Sequence, residues 1–390
     1  MSTRFQLGSF AIALTLGLTL SSGCGQPMDA DPTASLEQHG ALWVPPSPNG
    51  TGVHVAEDIL NNEENSYGPI VGGYQWSPIG FYSPARATGG SAVQPRLYAY
   101  YASGATAISA NGLVDYALYA GAMYNSVQIV AKESNLSFVL EYLDTNGVVI
   151  RSATVVDEQV TGVQLRVKVP YYGNPTSLDR YYSYFLGVGA RSLLKPDGTT
   201  VYAYGLNVAP QGGAWSPYCR SGGVAEPAVF YQGSLFHPTT AGRADHSAYV
   251  TMTCKSGGVA TCMDWDEVPW ITTAKDSKGN PLASLKDYHQ ACVQMKRAAY
   301  FGDGVPYTIS GTQIYKRDNL QDVRLNDSLA SIVNKTEALW DAKGAVCVND
   351  KYRRHPELLL GDINTNANSK PSCGAYPWVG FTWLVASALP

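Results

Sequence analysis

The residues best suited to chemistry in this sequence are His289 and Cys292, which lie three positions apart. Side chains with that spacing are neighbours on one face of a helix, and an imidazole beside a cysteine can activate a thiolate nucleophile. The same pair is a fragment of a zinc site, but no C-x-x-C pair accompanies it. A histidine can also brace its helix through a backbone carbonyl. His289 is therefore a catalytic candidate, and we predict no metal and no other cofactor.

A second candidate is an acidic cluster beside two tryptophans, formed by Asp264, Asp266 and Glu267. Paired carboxylates near aromatic rings are typical of glycosidases. A hydrolase that uses His289 or this cluster is therefore one hypothesis. A solvated acidic turn would have the same composition, so the motif alone does not establish an active site.

Cysteine usage is the third feature with chemical content, because one cysteine lies at position 24 and six lie after position 210. Setting Cys24 aside leaves an even number, which indicates three disulfides in an oxidising compartment. Many pairings are open, and the sequence does not choose among them. A disulfide sulfur is not a nucleophile, so this interpretation competes with thiolate chemistry. The six candidates are Cys219, Cys254, Cys262, Cys292, Cys347 and Cys373.

The first residues have the organisation of a bacterial secretory signal. Arg4 supplies a positive charge, and an uncharged apolar run extends from Phe10 to Leu20. That run is short for a membrane span, which needs about 20 residues. Small residues then precede Cys24, as in a lipobox, whose cysteine is acylated. We predict lipidation of Cys24; the alternative is cleavage by an ordinary signal peptidase, which would leave a soluble periplasmic or secreted protein.

The lipid would make a membrane the first partner of this protein. Several acyl chains hold a lipoprotein firmly, and glycine rather than aspartate follows Cys24, which favours the outer membrane or the cell surface. The net charge of −4, without a basic patch, argues against nucleic acid.

Tyrosine is abundant, with 26 copies, and ten of them crowd the strand-like part of the chain. Exposed rings on a sheet can stack on sugars or anchor a protein, so a glycan or a protein is the second expected partner. The same rings are also strand formers that fill a core. The ten positions are Tyr100, Tyr101, Tyr116, Tyr119, Tyr124, Tyr171, Tyr172, Tyr181, Tyr182 and Tyr184.

The elements that must position these residues are strands in the first half of the chain. Residues 163–169 alternate polar and apolar side chains, which places one face of a strand in a core and the other in water. Asn146-Gly147 separates two strand-like runs and predicts a hairpin. Short strands with such turns favour an antiparallel sandwich or barrel. The other strand-like runs are 97–101, 126–131, 137–142, 148–156, 191–194 and 200–204.

The second half of the chain adds two helices. The first begins at Ser284, with Asp287 three residues later as in a capping box, and stops at Gly302. The second runs over residues 328–342, where apolar residues recur at helical spacing. We predict an α+β, β-rich fold: an antiparallel β-sandwich-like N-terminal region, then a disulfide-braced α+β C-terminal domain with two main helices.

Several segments of the second half resemble the ADYC domain of myxobacterial predicted lipoproteins. The densest is HQACVQMKRAAYFGDG, from His289 to Gly304. The resemblance implies the cell envelope and a shared cysteine framework, and it implies no reaction. The other matching segments are Trp215–Cys219, Thr253-Cys254, Ala260–Cys262, Asp266–Trp270, Gly311–Ile314, Glu337–Trp340 and Gly344–Asn349.

The signature of that family is altered in this chain. The family has Ala-Asp-Tyr-Cys where this chain has Ala298-Ala299-Tyr300-Phe301. The missing cysteine is consistent with loss of a whole disulfide, because the remaining six form an even set. The missing aspartate weighs against a shared mechanism that needs a carboxylate there.

Four segments follow: a signal peptide (1–23), a lipidated tether (24–45), a β-rich domain (46–210) and an ADYC-like cysteine-containing domain (211–390). The leading hypothesis is a cell-envelope lipoprotein with a structural or binding role rather than a catalytic one. A polysaccharide- or peptidoglycan-binding module is the first alternative. A hydrolase that uses His289 or the acidic cluster is the second.

Overall fold

The computed structural model describes residues 54–55, 70–71, 74–103, 106–194, 200–221, 223–236, 241–302, 305–309, 311–321, 325–353, 355–356 and 369–390. The predicted signal peptide, Cys24 and the tether lie outside these residues. Three α-helices occur in the described part: α1 (Gly258–Asp264), α2 (Lys286–Lys296) and α3 (Leu329–Asn334). The strands are β1 (His54–Val55), β2 (Ile70–Val71), β3 (Tyr74–Tyr82), β4 (Arg96–Ser103), β5 (Thr106–Tyr119), β6 (Ala122–Tyr124), β7 (Ser126–Lys132), β8 (Asn135–Leu143), β9 (Val149–Val155), β10 (Gln164–Pro170), β11 (Tyr181–Leu193), β12 (Tyr202–Pro210), β13 (Ser216–Pro217), β14 (Arg220–Ser221), β15 (Val224–Ala225), β16 (Ala228–Phe236), β17 (Arg243–Cys254), β18 (Gln313–Asp318), β19 (Thr336–Asp341), β20 (Gly344–Val348) and β21 (Val385–Ala388).

The largest sheet closes on itself as a ring of eight strands. Its antiparallel order is β3-β4-β5-β10-β11-β12-β16-β17, and β17 pairs with β3 again. All eight strands contribute buried side chains to one core inside the ring. On β10, Leu165, Val167 and Val169 are at most 2% exposed, while Arg166 and Lys168 point outward. The alternation predicted for residues 163–169 is therefore confirmed.

A three-stranded sheet, β7-β8-β9, packs against the ring and shares its core. The backbone N–H of Ile129 donates to Ser83 Oγ at 2.6 Å, and that of Leu136 donates to the Tyr204 hydroxyl at 2.8 Å. The loop between β8 and β9 contains Asn146 and Gly147, the latter at a φ of 78°. The predicted hairpin is confirmed, and the core lies between antiparallel sheets.

Strands from both predicted domains build the ring. β12 ends at Pro210, and β16 and β17, which come later in the chain, complete the same sheet. The boundary predicted between residues 210 and 211 therefore falls inside a sheet. The β12–β16 pairing is brief and consists of Tyr204 opposite Ala228.

A second sheet among the described residues has five strands, with helices packed against it. Its order is β1-β18-β21-β19-β20. Helices α1 and α2 share a core with this sheet and with the outer side of β12 and β16, where Ala203, Val229 and Tyr231 are buried. The described region is thus a β-rich α+β fold, as predicted.

The first predicted helix is shorter than expected. α2 begins after Leu285, which makes no side-chain capping hydrogen bond, so the capping box at Ser284 is wrong. The helix ends at Lys296, because Ala298 adopts a left-handed φ of 50° before Gly302 is reached. Gly302, at a φ of 66°, instead forms a turn that packs against the Lys343 carbonyl, where a side chain would collide.

The second predicted helix is correct only in its first half. Ser328 caps α3 by accepting a hydrogen bond from the Ser331 N–H at 3.1 Å, but α3 stops at Asn334. The following residues form β19, which lies between β20 and β21 with Thr336–Trp340 entirely buried. A strand buried on both faces shows no polar–apolar alternation, so Thr336 and Trp340 continue the helical spacing that begins at Leu329. The prediction of two main helices also missed α1.

Candidate functional site

The six cysteines after position 210 form three disulfides. The pairs are Cys219–Cys254, Cys262–Cys292 and Cys347–Cys373. The second pair joins α1 to α2, and both its cysteines are fully buried. Cys292 is therefore unavailable as the nucleophile considered beside His289.

His289 lies in the core and braces α2 against α1. Its ring is 0% exposed, and its Nε2 lies 2.8 Å from the Val259 carbonyl oxygen. The rings of Phe236 and Tyr231 lie 5.7 and 6.1 Å away, centroid to centroid. The structure thus places this candidate as a packing residue that a substrate does not reach.

We expect His289 to make the fold sensitive to acid. Burial, the largest effect, lowers the pKa of His289 from 6.5 to about 4. Since the folded pKa lies below the unfolded one, the stabilisation is present above pH 6.5 and is lost as the pH falls towards 4. The expected loss is about 3 kcal/mol. Urea denaturation of wild type and His289→Asn at pH 7 and pH 4 should show a smaller pH dependence in the variant.

His246→Asn is the matched control for this experiment, because His246 is exposed on β17. It should retain the wild-type loss of stability between pH 7 and pH 4. An equal loss in His289→Asn and in wild type would contradict the assignment.

The three acidic residues do not share one exposed site, because Glu267 lies in the core. The Glu267 side chain is 0% exposed and forms an ion pair with the equally buried Lys316. Burial raises the pKa of Glu267, and the charge of the neighbouring Lys316 opposes that rise. Asp266, at a φ of 75°, accepts a hydrogen bond from the Leu325 N–H at 2.9 Å. Asp266 and Glu267 are consecutive, but their side chains contact different parts of the fold. Their adjacency in the sequence therefore did not indicate a shared site.

The altered family signature lies in the core of the C-terminal half. The Tyr300 hydroxyl donates to Glu337 Oε1 at 2.5 Å, and Ser387 Oγ donates to the other Glu337 oxygen at 2.7 Å. The Tyr300 ring stacks on Trp340 at 5.4 Å, and all four side chains are fully buried. This segment is a packing centre. With all six cysteines paired, Phe301 in the place of the family cysteine leaves no unpaired sulfur in the described chain.

The outer face of the ring carries a different arrangement, which we call the aromatic row: Tyr116, Arg166 and Phe185, which are partly exposed, and Trp215, which is exposed. Arg166 of β10 is in register with Tyr116 of β5 on one side and with Phe185 of β11 on the other. Its guanidinium carbon lies 5.3 Å from the centre of the Tyr116 ring. Phe185 lies 6.5 Å from the ring of Trp215. Four planar groups thus follow one another across three strands and a loop.

Trp215 occupies its place because Gly187 lacks a side chain. A Cβ at Gly187 would lie 3.0 Å from Cζ3 of the indole, which is closer than packed carbon atoms normally approach. The indole therefore rests against the backbone of β11 while remaining 39% exposed. Since no apolar core requires this ring, its position suits contact with another molecule.

Polar groups accompany the aromatic row and hold Arg166 in position. Asp115 accepts from Arg166 Nη1 at 2.6 Å and also contacts Lys168 Nζ at 3.0 Å. Arg166 Nη2 donates to Ser183 Oγ at 3.1 Å and to Gln211 Oε1 at 3.3 Å. Hydrogen-bonding groups therefore lie beside the rings.

Some of the predicted tyrosines lie near this row, and others fill the core. Tyr181 stacks under Lys168, whose Nζ lies 4.9 Å from the ring centre, and Tyr171 stacks on Tyr182 at 5.8 Å. Tyr124 and Tyr184 are buried, as the core interpretation of the tyrosines expected. The alternation of β10 and β11 could have indicated which of their side chains face outward. It could not have indicated that these side chains lie beside Tyr116, because the pairing of β10 with β5 joins residues distant in sequence.

No helix among the described residues is long and apolar enough to cross a membrane. In the same part of the chain, no three His, Cys, Asp or Glu side chains lie close enough to share a metal ion. A family model described as the ADYC domain matches residues 153–354, just over half of the chain. The match begins in β9, before the predicted start at residue 211. No curated protein and no solved structure matches the chain.

Proposed function

This chain belongs to the ADYC domain family, and we propose that it is a cell-envelope lipoprotein that binds polysaccharide on the aromatic row. The proposal combines two supports. The secretory signal, the lipobox at Cys24 and three disulfides suit an exported, membrane-anchored protein. The row supplies a surface that the packing of the fold does not explain.

The single observation that carries binding is the seating of Trp215 over Gly187, in line with Phe185, Arg166 and Tyr116. Aromatic rings offer flat, rigid area at low entropy cost. The faces of sugar rings are apolar, whereas their rims carry hydroxyls. A row of rings flanked by carboxylate, guanidinium and amide groups can therefore contact both parts of a saccharide.

A glycan fits this face better than a protein does. The centre of a protein interface is apolar and depleted of charged groups. Here the charged pair Asp115–Arg166 lies in the middle of the row, and Lys168 and Gln211 border it. Such a surface remains hydrated and polar between its rings, which is a poor centre for a protein contact.

Replacing Trp215 with alanine should weaken binding to polysaccharide about tenfold or more, which corresponds to about 1.4 kcal/mol. The physical reason is loss of the exposed stacking surface. Pull-down with isolated peptidoglycan and affinity electrophoresis in a neutral glucan gel would measure it on the mature protein.

Tyr376→Ala is the matched control, because Tyr376 is 50% exposed and lies outside the row. It should bind like wild type. The proposal is refuted if wild type binds neither polymer, or if Trp215→Ala binds as tightly as wild type.

A further inference from the structure

A groove of about 410 Å³ lies between the three-stranded sheet, the ring and the start of α2. Its size falls in the lower part of the range of about 300–1,000 Å³ that is usual for ligand sites. It is separate from the aromatic row, with which it shares no residue. Its lining includes Lys132, Glu133, Tyr231, Gln232, Trp270 and Lys286.

The floor of the groove is fixed by Gln232. Its Oε1 accepts from the Ala131 N–H at 2.9 Å, and its Nε2 donates to the Ser247 carbonyl at 2.9 Å. The amide thus ties β7 to the ring. A bulge follows in β16, where Gly233 has a φ of 97°.

The bulge gives Lys286 its position. A Cβ at Gly233 would lie 3.4 Å from Lys286 Nζ, so the ammonium lies over the backbone of the bulge. The nearby carboxylates of Asp245 and Asp287 are both bound by Arg243, at 3.1 and 3.0 Å. Across the described ranges, neither Lys286 nor Lys132 forms an ion pair. The groove therefore holds two ammonium groups and one carboxylate, that of Glu133, and neither ammonium is held in an ion pair among the described residues.

A second groove differs from the first in that its charged side chains neutralise each other. It has about 210 Å³ and is lined by Arg86 and Glu141 among others. Those two side chains neutralise each other in an ion pair, so that groove offers no free charge to a ligand.

An aromatic wall completes the first groove. Trp270 is partly exposed, and its ring lies 6.1 Å from that of the buried Tyr231. The Tyr231 hydroxyl is already bonded to Ser234 Oγ at 3.1 Å. The indole is thus the ring available to a ligand, beside the two ammonium groups.

We propose that this groove binds an acidic sugar residue, with its ring against Trp270 and its carboxylate on Lys286. The ligand class rests on the proposed polysaccharide binding, and the groove adds a preference for uronic-acid residues over neutral ones. The carboxylate supplies Lys286 with the ion-pair partner that this lysine lacks among the described residues.

Titration calorimetry of the mature protein tests this with two probes, a trigalacturonate and the matching neutral galactotriose. Wild type should bind the acidic probe at least about tenfold more tightly than the neutral one. Lys286→Met keeps the aliphatic stem, removes the charge and should abolish that preference. Lys278→Met changes an exposed lysine outside the groove and should leave it intact.

The outcomes separate this inference from the proposed function. If Trp215→Ala loses polymer binding but keeps the acidic preference, both stand as separate sites. Equal binding of the two probes by wild type, or an unchanged preference in Lys286→Met, overturns the groove proposal even if polymer binding persists. Equal affinity for a triglutamate peptide would also overturn it, since charge alone would then explain the binding.

Discussion

Replacing Trp340 with alanine is expected to lower the free energy of unfolding by about 3–5 kcal/mol, the usual cost of removing a large buried ring. The indole is 0% exposed and stacks on Tyr300 at 5.4 Å. Its Nε1 also donates to Ser387 Oγ at 2.8 Å, within the network that satisfies Glu337. The substitution would thus leave a cavity and an incomplete polar network. Urea denaturation followed by far-ultraviolet circular dichroism measures the change.

Trp215→Ala provides the comparison for Trp340→Ala, because both remove an indole. Trp215 is 39% exposed, so its loss should cost less than about 1 kcal/mol. Equal destabilisation by the two substitutions would contradict the assignment of Trp340 to the packing centre.

The double variant Cys262→Ala/Cys292→Ala should lose about 4 kcal/mol of stability. The two residues are 30 positions apart, and a cross-link over such a loop restricts the unfolded chain by about that amount. The bond also joins α1 to α2 in a fully buried position. Guanidinium denaturation without reductant measures the difference from wild type.

Cys347→Ala/Cys373→Ala is the control for loop length, because its cysteines are 26 positions apart. On chain entropy alone it should lose a similar amount. A Cys262→Ala/Cys292→Ala variant as stable as wild type would show that the α1–α2 bridge does not support the fold.

Local features of the sequence predicted the local features of the structure. The alternation around Arg166 gave the correct faces of β10, Asn146-Gly147 gave the hairpin, and the apolar spacing after Ser328 gave the start of α3. Each depends on residues within a few positions of one another. The even cysteine count likewise predicted three disulfides, although their pairing depended on the fold.

The remaining features depend on contacts distant in sequence. Closure of the ring requires β5 to meet β10, and nothing near either strand encodes that register. β19 imitated a helix because both its faces are buried. The seating of Trp215 depends on Gly187, a residue of another strand, and the groove combines β7, β16 and α2. Candidate sites assembled from separate elements therefore could not be found by motif.

Closure of the eight-stranded ring also bears on how this protein avoids self-association. An open sheet presents unpaired N–H and C=O groups that can template aggregation with another chain. Each strand of the ring has a neighbour on both sides, although β12 and β16 meet only at Tyr204 and Ala228, so most of its tyrosine- and valine-rich strands offer little such template. The three-stranded sheet differs: β9 pairs with β8 on one side and exposes Val149 and Ile150. The exposed apolar edge at β9 is therefore a place where strand pairing with another chain is less well blocked than in the ring.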